Sequence, residues 1–321
     1  MKKLLLITLL TIIYQNIYPW GFYAHKQINY YAVFLLPPEM LVLYKPNINF
    51  LSDHAVDPDK RRYAVAAEGA RHYIDIDHYG VYPFDSLPRT WTNALKKYNK
   101  DTLQKYGIVP WHIQTMLFKL TAAFKEKDQA KILKLSADIG HYIADSHVPL
   151  HVCSNHNGQL TNQHGIHGFW ESRIPELLAA TSWDFLLGKA GYITNPVTFT
   201  WARVLESAAA ADSVLRIERE LTTRFSADQK YSFEPRNGQV IRQYSTSYTL
   251  AYNEQLNNMV ERRMRQSILA VASFWYTAWV NAGQPDLKQL VNKSFSDDDR
   301  REFEELNAAW LKGAIKGKDC D

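Results

Sequence analysis

A cluster of histidines in the middle of the chain limits what this protein can fold into. Six of the 11 histidines fall between Asp138 and Glu171, at positions 141, 147, 151, 156, 164 and 167. Residues four apart lie on one face of a helix, so His141 faces the same side as Asp145. The same spacing joins His167 to Glu171. Imidazole and carboxylate groups arranged in this way are ligands that zinc accepts, so the stretch predicts a buried metal site.

A proline separates the two halves of this stretch. Pro149 follows Asp145 by four positions and predicts the end of the first helix. The chain can then turn so that His151 re-enters the same cavity. We therefore expect His151 to lie between the two histidine–carboxylate pairs.

The first 19 residues have the pattern of a secretory signal rather than of a membrane span. Lys2 and Lys3 precede an apolar run over residues 4–13. We therefore expect a secreted or periplasmic protein. Removal of the two lysines lowers the formal net charge from +4 to +2, so the mature chain has no strong electrostatic attraction for nucleic acid.

Cysteine use argues against thiolate metal ligands. The chain has two cysteines, Cys153 and Cys320, and no CxxC pair. A disulfide between them is compatible with export, but the sequence leaves it open.

Apolar periodicity predicts a mostly helical protein. The predicted helices cover residues 110–127, 128–144, 201–222, 240–258, 264–280 and 296–311. Ser296 precedes three aspartates, which is typical of a helix start. Strand patterns are scarce. We expect a single all-α domain over residues 20–283, followed by a helical extension over residues 284–321 without obvious chemistry.

The candidate ligands follow one another in a recognisable order. They are Trp20, His25, Asp59 or Asp57, His72, His141, Asp145, His151, His167 and Glu171. This ordered set resembles the superfamily of trinuclear zinc phosphodiesterases, which includes bacterial zinc-dependent phospholipases C and the single-strand-specific nucleases of fungi and plants. The resemblance covers residues 20–171 by motif, and the helical remainder is compatible with that fold type.

The resemblance implies up to three zinc ions. One ion would be held by Trp20, through its amino-terminal group, with His25 and Asp145. The second would be held by His72, His141, Asp145 and the upstream aspartate, so that Asp145 bridges two ions. The third would be held by His151, His167 and Glu171. The amino-terminal role requires cleavage directly after Tyr18 and Pro19, a poor signal-peptidase site.

Two features of the motif point to different branches of the superfamily. Glu171 matches the phospholipases, whereas the spacing from Trp20 to His25 matches the nucleases. The upstream aspartate is also open. Asp59 fits the Pro-Asp-x-x-Arg pattern and is favoured, and Asp57 lies at a nuclease-like distance before His72. Either would orient or deprotonate a water whose pKa zinc lowers to about 7.

Other polar residues are candidates for supporting roles. Asp138, Asp75 and Asp77 are placed to orient the ligand imidazoles. Arg62 is placed to contact a phosphate oxygen, although an exposed basic turn is the simpler interpretation of Lys60-Arg61-Arg62.

Three functional hypotheses follow from the sequence. The first is a phospholipase C-like hydrolase that acts on a phospholipid or other phosphodiester and makes transient contact with a membrane surface. The second is a zinc nuclease that acts on single-stranded nucleic acid, which would need stacking aromatic side chains and basic groups. The third is a metal-binding protein without catalytic turnover. No stable protein partner is implied.

Overall fold

The computed structural model describes residues 21–236, 238–290 and 294–316. The predicted signal segment, the proposed ligand Trp20 and Cys320 lie outside the described residues.

Helices dominate the structure, which is 66% helical, and this confirms the predicted all-α class. The helices are α1 Phe22–Val33, α2 Pro38–Tyr44, α3 Ile48–Asp53, α4 Asp57–Arg61, α5 Trp91–Lys97, α6 Lys100–Lys105, α7 Val109–Glu126, α8 Gln129–Asp145, α9 Ile166–Gly168, α10 Ile174–Ser182, α11 Pro196–Thr222, α12 Ala227–Lys230, α13 Thr246–Gln255, α14 Met259–Asn281 and α15 Asp297–Leu311. Short 3₁₀ helices span His54–Val56, Gly69–Arg71, Ile76–Tyr79, Pro149–Val152 and Lys288–Leu290, and a π-helical turn spans Phe169–Arg173. The strands are β1 Tyr231–Arg236 and β2 Gln239–Tyr244.

Most of the long helices lie where apolar periodicity predicts them. Helices α7 and α8 each match the predicted range to within one residue at either end. The last helix begins as expected, because the Ser296 side chain accepts a hydrogen bond from the Asp299 amide at 3.1 Å. The local signals of periodicity and capping were sufficient to predict where these helices begin and end.

The predicted helix over residues 240–258 is wrong in its first part. Residues 239–244 form strand β2, which pairs in an antiparallel hairpin with β1, and Tyr231 lies opposite Tyr244. The sequence Asn237-Gly238 is a hairpin signal, and Gly238 has the positive φ of 78° that such a turn requires. Helix α13 begins only after the strand, where Ser245 accepts a hydrogen bond from the Tyr248 amide.

Helix α8 lies at the centre of the main hydrophobic core. Its buried side chains include Ile132, Leu133 and Ile139, and it packs against α1, α7 and α14. Helix α14 is fastened to it by Trp275, whose Nε1 donates to the Ser136 carbonyl at 3.0 Å. Within the described residues, no helix combines the length and apolarity needed to cross a bilayer.

A glycine allows α1 to approach α8 closely. A Cβ atom on Gly140 would lie 2.0 Å from Asn29 Oδ1. In its observed position Asn29 donates to the Leu51 carbonyl at 3.0 Å and to the Ala137 carbonyl at 3.1 Å. The missing side chain of Gly140 therefore lets a buried amide join α1, α3 and α8.

Gly140→Ala should destabilise the protein by about 1–3 kcal/mol, because the added methyl group displaces Asn29 from the core. Helix propensity alone predicts the opposite sign, a gain of about 1 kcal/mol. Chemical denaturation of both proteins measures the difference. The double variant with Asn29→Ala serves as the control and should be less sensitive to the alanine at 140. A single variant as stable as the wild type would contradict the close approach.

Candidate metal centre

The polar centre of the protein is built on the carboxyl-terminal half of α8. His141 and Asp145 lie on one face of this helix, and each is only 1% exposed. The helix ends at Asp145, and Pro149 starts the 3₁₀ turn that carries His151. This is the turn that the sequence predicts, and it returns the His151 imidazole to within 3.9 Å of Asp145 Oδ1.

Three groups of side chains bring donor atoms within 4.8 Å of one another. The groups are His25, His141 and Asp145; Asp59, His72 and His141; and His151, His167 and Glu171. We call these donor set 1, donor set 2 and donor set 3. All eight side chains predicted as ligands within the described residues therefore take part, while Trp20 lies outside those residues.

Asp145 lies between donor sets 1 and 2. Its Oδ2 is 3.1 Å from His72 Nδ1 and 3.3 Å from His141 Nε2. Its Oδ1 faces the other way and is 3.5 Å from His25 Nε2. The two carboxylate oxygens thus point to different imidazoles, which is the geometry of a bridging ligand.

Glu171 has a similar position between donor sets 1 and 3. Its Oε2 is 2.7 Å from His167 Nε2 and 3.2 Å from His151 Nε2. Its Oε1 is 3.1 Å from His25 Nε2. The sequence analysis placed Glu171 with His151 and His167 only, because nothing in local spacing indicates that α1 reaches this carboxylate.

The helix that carries His167 and Glu171 is not a regular α-helix. Helix α9 is one turn long and passes into the π-helical turn Phe169–Arg173. His167 and Glu171 still lie on one face, and the wider π-helical turn directs both side chains toward His151. Phe169 anchors this turn by stacking on Tyr244 at the end of β2, with ring centroids 3.8 Å apart. The hairpin that the sequence analysis missed therefore supports donor set 3.

Backbone carbonyls orient two of the imidazoles. His141 Nδ1 donates to the Ala55 carbonyl, and His151 Nδ1 donates to the His72 carbonyl, both at 2.9 Å. In each ring the Nε2 lone pair is then left to face the donor sets. These are the hydrogen bonds that fix a metal-ligating tautomer.

The donor sets fit divalent metal ions. Within the described residues, no hydrogen bond reaches the buried Asp145 Oδ1. His141 Nε2 lies only 3.0 Å from His72 Nδ1. A buried carboxylate oxygen without a partner is costly, and so are crowded imidazole lone pairs. A cation among them relieves both, and this mixture of nitrogen and oxygen donors suits zinc.

Burial disfavours the protonated form of three of the site histidines. It lowers the pKa values of His72, His141 and His151 below the usual value, and neighbouring cationic groups add to the effect for His72. Burial raises the pKa of Asp145, and the nearby charges of Glu171 and Asp59 raise it further. For Glu171, burial acts to raise the pKa, but the adjacent imidazoles of His151, His167 and His25 outweigh it and hold the pKa well below its usual range.

The two candidate aspartates have different surroundings in the structure. Asp59 Oδ1 lies 3.6 Å from His141 Nε2 and 3.7 Å from His72 Nδ1, within donor set 2. Asp57 instead accepts from His54 Nδ1 at 2.6 Å and from Lys60 Nζ at 3.2 Å. The two lie on different faces of α4, and Asp57 belongs to none of the three donor sets.

Several supporting roles differ from those expected. Arg62 is buried, with Nη1 3.9 Å from Asp59 Oδ1, so the interpretation as an exposed basic turn is wrong for this residue. Asp138 binds Arg61 at 2.9 Å rather than an imidazole. Asp77 accepts hydrogen bonds from Ser154. Asp75 is buried and its amide donates to the Tyr106 carbonyl, and the expected role of its carboxylate stays a prediction.

Two polar residues near the site were missed by the sequence analysis. Glu68 is fully buried, binds Arg61, Arg71 and Tyr142, and places Oε1 3.8 Å from His72 Nε2. Its spacing of four from His72 was the available signal. Asn157 Oδ1 accepts from the amides of Gly165 and His167 at 2.8 and 3.4 Å, which positions the start of α9.

Two further histidines that are not among the predicted ligands, the buried His147 and the half-buried His112, lie outside the donor sets. His147 Nδ1 donates to the Ile143 carbonyl at 2.8 Å. His112 packs edge-on against Tyr142, with ring centroids 4.5 Å apart, and burial lowers its pKa to about 3. Cys153 also lies outside the three donor sets, and burial raises the pKa of its thiol to about 12.

Asp145→Asn should lose more than one zinc equivalent, because its two oxygens face two donor sets. Metal content after dialysis, measured by mass spectrometry, tests this. Asp57→Asn makes the same chemical change outside the donor sets, and its amide oxygen can still accept from His54. Helix α4 should therefore stay in place, and the zinc content should equal that of the wild type. Full metal retention in Asp145→Asn would show that the bridging assignment is wrong.

The metal-free protein should lose stability as the pH falls below about 6.5. Unfolded imidazoles have a pKa of about 6.5 and take up protons there, whereas the buried ones with lowered pKa values do not. His112→Gln should remove one such group and reduce the slope by about 1.4 kcal/mol per pH unit between about pH 4 and 6. Denaturation of chelator-treated protein across this range measures the slope. An unchanged slope would contradict the lowered pKa of His112.

Comparison of the sequence with protein-family models and with curated proteins finds no match. The donor geometry is therefore the basis for interpreting the function.

Proposed function

We propose that this protein is a secreted zinc-dependent phosphodiester hydrolase of the phospholipase C type. One observation carries the proposal: Asp145 and Glu171 each direct their two oxygens at different groups of imidazoles. The three donor sets are therefore contiguous, as a site that holds several ions around one reacting phosphate requires. The signal-like residues 1–19 support export.

The chemistry of the donors suits attack on a phosphodiester. Zinc ions held here would acidify water, withdraw charge from phosphoryl oxygens and stabilise a leaving alkoxide. The neutral imidazoles leave the positive charge of the ions largely uncancelled, and three carboxylates limit the repulsion between them. Most of the ligands sit on helices, and backbone carbonyls orient His141 and His151, so these side chains need little rearrangement when substrate binds.

Asp59 is the residue that we assign to handling the attacking water. Its side chain is 15% exposed, whereas Asp145 is 1% exposed. One oxygen of Asp59 faces donor set 2, and the carboxylate remains within reach of solvent. It can therefore orient a water toward phosphorus and accept its proton. Asp57 is held by His54 and Lys60 and is not assigned this role.

The surface next to donor set 3 favours a lipid substrate. Residues 154–165 connect His151 to the helix of His167, and Leu160 in this loop is 69% exposed. The loop is joined to a second one through the hydrogen bonds between Ser154 and Asp77. The second loop exposes Val81 by 85% and Tyr82 by 59%. Apolar side chains at the tips of loops suit transient contact with a lipid surface.

A nuclease is the second candidate, and one observation favours it. Lys60 Nζ lies 5.8 Å from the ring centroid of Trp310, next to the proposed water-handling Asp59. Single-stranded nucleic acid is bound by this combination of cationic and aromatic groups. A metal-binding protein without turnover is the remaining alternative, and it would require every coordination position to be filled by protein.

Hydrolysis assays with the zinc-loaded protein test the proposal. Phosphatidylcholine vesicles should release phosphocholine and diglyceride, while single-stranded DNA at the same zinc concentration should be cut more slowly. Rapid DNA cleavage without lipid turnover would reverse this order. Full zinc content with no hydrolysis of either substrate would instead favour the non-catalytic alternative.

A matched pair of variants tests the assignment of the aspartate. Asp59→Asn should lower the rate by at least about a hundredfold, because loss of even an outer partner of a metal ligand typically costs ten- to a hundredfold. Asp57→Asn should stay within about tenfold of wild type. Equal losses in the two variants would argue against a specific role for Asp59.

A further inference from the structure

The carboxyl-terminal helix α15 packs on α4, the short helix that carries Asp59. The sequence analysis assigned no chemistry to this extension. Helix α4 has five residues, and a helix of that length is not stable by itself in water. The position of Asp59 therefore depends on what holds α4.

One contact of α15 is at the start of α4. The Phe303 ring lies 4.4 Å from the His54 ring, measured between centroids. His54 Nδ1 in turn lies 2.6 Å from Asp57 Oδ2, and Asp57 is the first residue of α4. Phe303 thus packs against His54, whose hydrogen bond to Asp57 fixes the start of α4.

A second contact is at the other end of α4. Trp310 lies beneath Lys60, with Nζ 5.8 Å from its ring centroid, and packs on Phe22 of α1 at 5.6 Å. After α15 ends, the Lys316 amide donates to the Arg62 carbonyl at 3.0 Å. Asp59 is therefore enclosed between two points at which the carboxyl-terminal segment contacts its helix.

Helix α15 is itself fixed to the scaffold. Lys134 on α8 binds Asp299 at 3.2 Å and also binds Glu302. Helix α8 carries His141 of donor set 2 together with Asp145, and α4 carries Asp59 of the same set. Helix α15 therefore connects the two helices whose relative position sets the distance between Asp59 and His141. The Asp59 oxygen has to stay 3.6–3.7 Å from two imidazole nitrogens, and a small shift of α4 would break that arrangement.

We propose that α15 braces α4, and that Phe303 and Trp310 are positioning residues that hold Asp59 in donor set 2. The inference rests on the proposed metal-dependent function and adds that the carboxyl-terminal helix is part of the metal centre's support. Neither residue belongs to the three donor sets. The effect of each passes through α4.

Zinc affinity, rather than activity, tests the brace. Trp310→Ala and Phe303→Ala should each lower the affinity for one zinc equivalent by about ten- to a hundredfold, which is the typical effect of losing a residue that supports a metal ligand. The affinity for the other zinc equivalents should stay unchanged. Titration against a chelator of known affinity measures this. Trp310→Phe should restore most of the lost affinity. Leu311→Ala removes a side chain on the same helix that is 65% exposed, and should bind zinc as the wild type does.

A double-mutant cycle with Asp59→Asn separates positioning from general destabilisation. If Trp310 acts through Asp59, Trp310→Ala should cause little further loss of zinc affinity once Asp59 is replaced. Additive losses would overturn the proposal, as would an equal weakening of every zinc site in Trp310→Ala.

The outcomes also separate the brace from the proposed function. Wild-type zinc binding in both Phe303→Ala and Trp310→Ala overturns the brace and leaves the proposed function intact. A wild-type protein that binds no zinc overturns both. A wild-type protein that binds zinc without hydrolysing phosphodiesters overturns only the proposed function.

Discussion

The rest of the structure depends on how the free-energy cost of placing two carboxylates among imidazoles is offset. Asp145 and Glu171 lie in the interior with His25, His72, His141 and His151. Groups of this kind are unfavourable in a core unless each is hydrogen-bonded or coordinated. The imidazoles of His141 and His151 direct one nitrogen to a backbone carbonyl, so the other nitrogen is committed to the cluster. Divalent ions bound here would satisfy the donor atoms that lack a hydrogen-bond partner.

The surrounding fold brings these donors together from distant parts of the chain. Helix α8 supplies the central pair, and α1 reaches it because Gly140 leaves room for Asn29. The 3₁₀ turn after Val148 returns His151 to the same cavity, and the β-hairpin supports the π-helical turn that carries Glu171. Each of these contacts lies outside the donor sets, yet each helps to place a donor side chain.

Packing also connects the carboxyl-terminal helix to a donor side chain. Five residues cannot hold Asp59 in place alone, and the aromatic residues of α15 contact α4 near both of its ends. The Asp59 side chain is 15% exposed, so burial alone does not fix its position. Asp145 is 1% exposed and lies within the core.

Local signals in the sequence determined the helical class, most of the long helices and the residue types of the candidate centre. Periodicity, prolines, caps and the spacing of four between His141 and Asp145 all act within one or two turns, so they can be read without a fold. Tertiary structure alone decided that Asp59 rather than Asp57 faces His72, that Glu171 also reaches His25, and that Glu68 lies behind His72. It also decided that α15 supports α4. These relations join residues on separate elements, and their distances follow from how helices pack rather than from any local pattern.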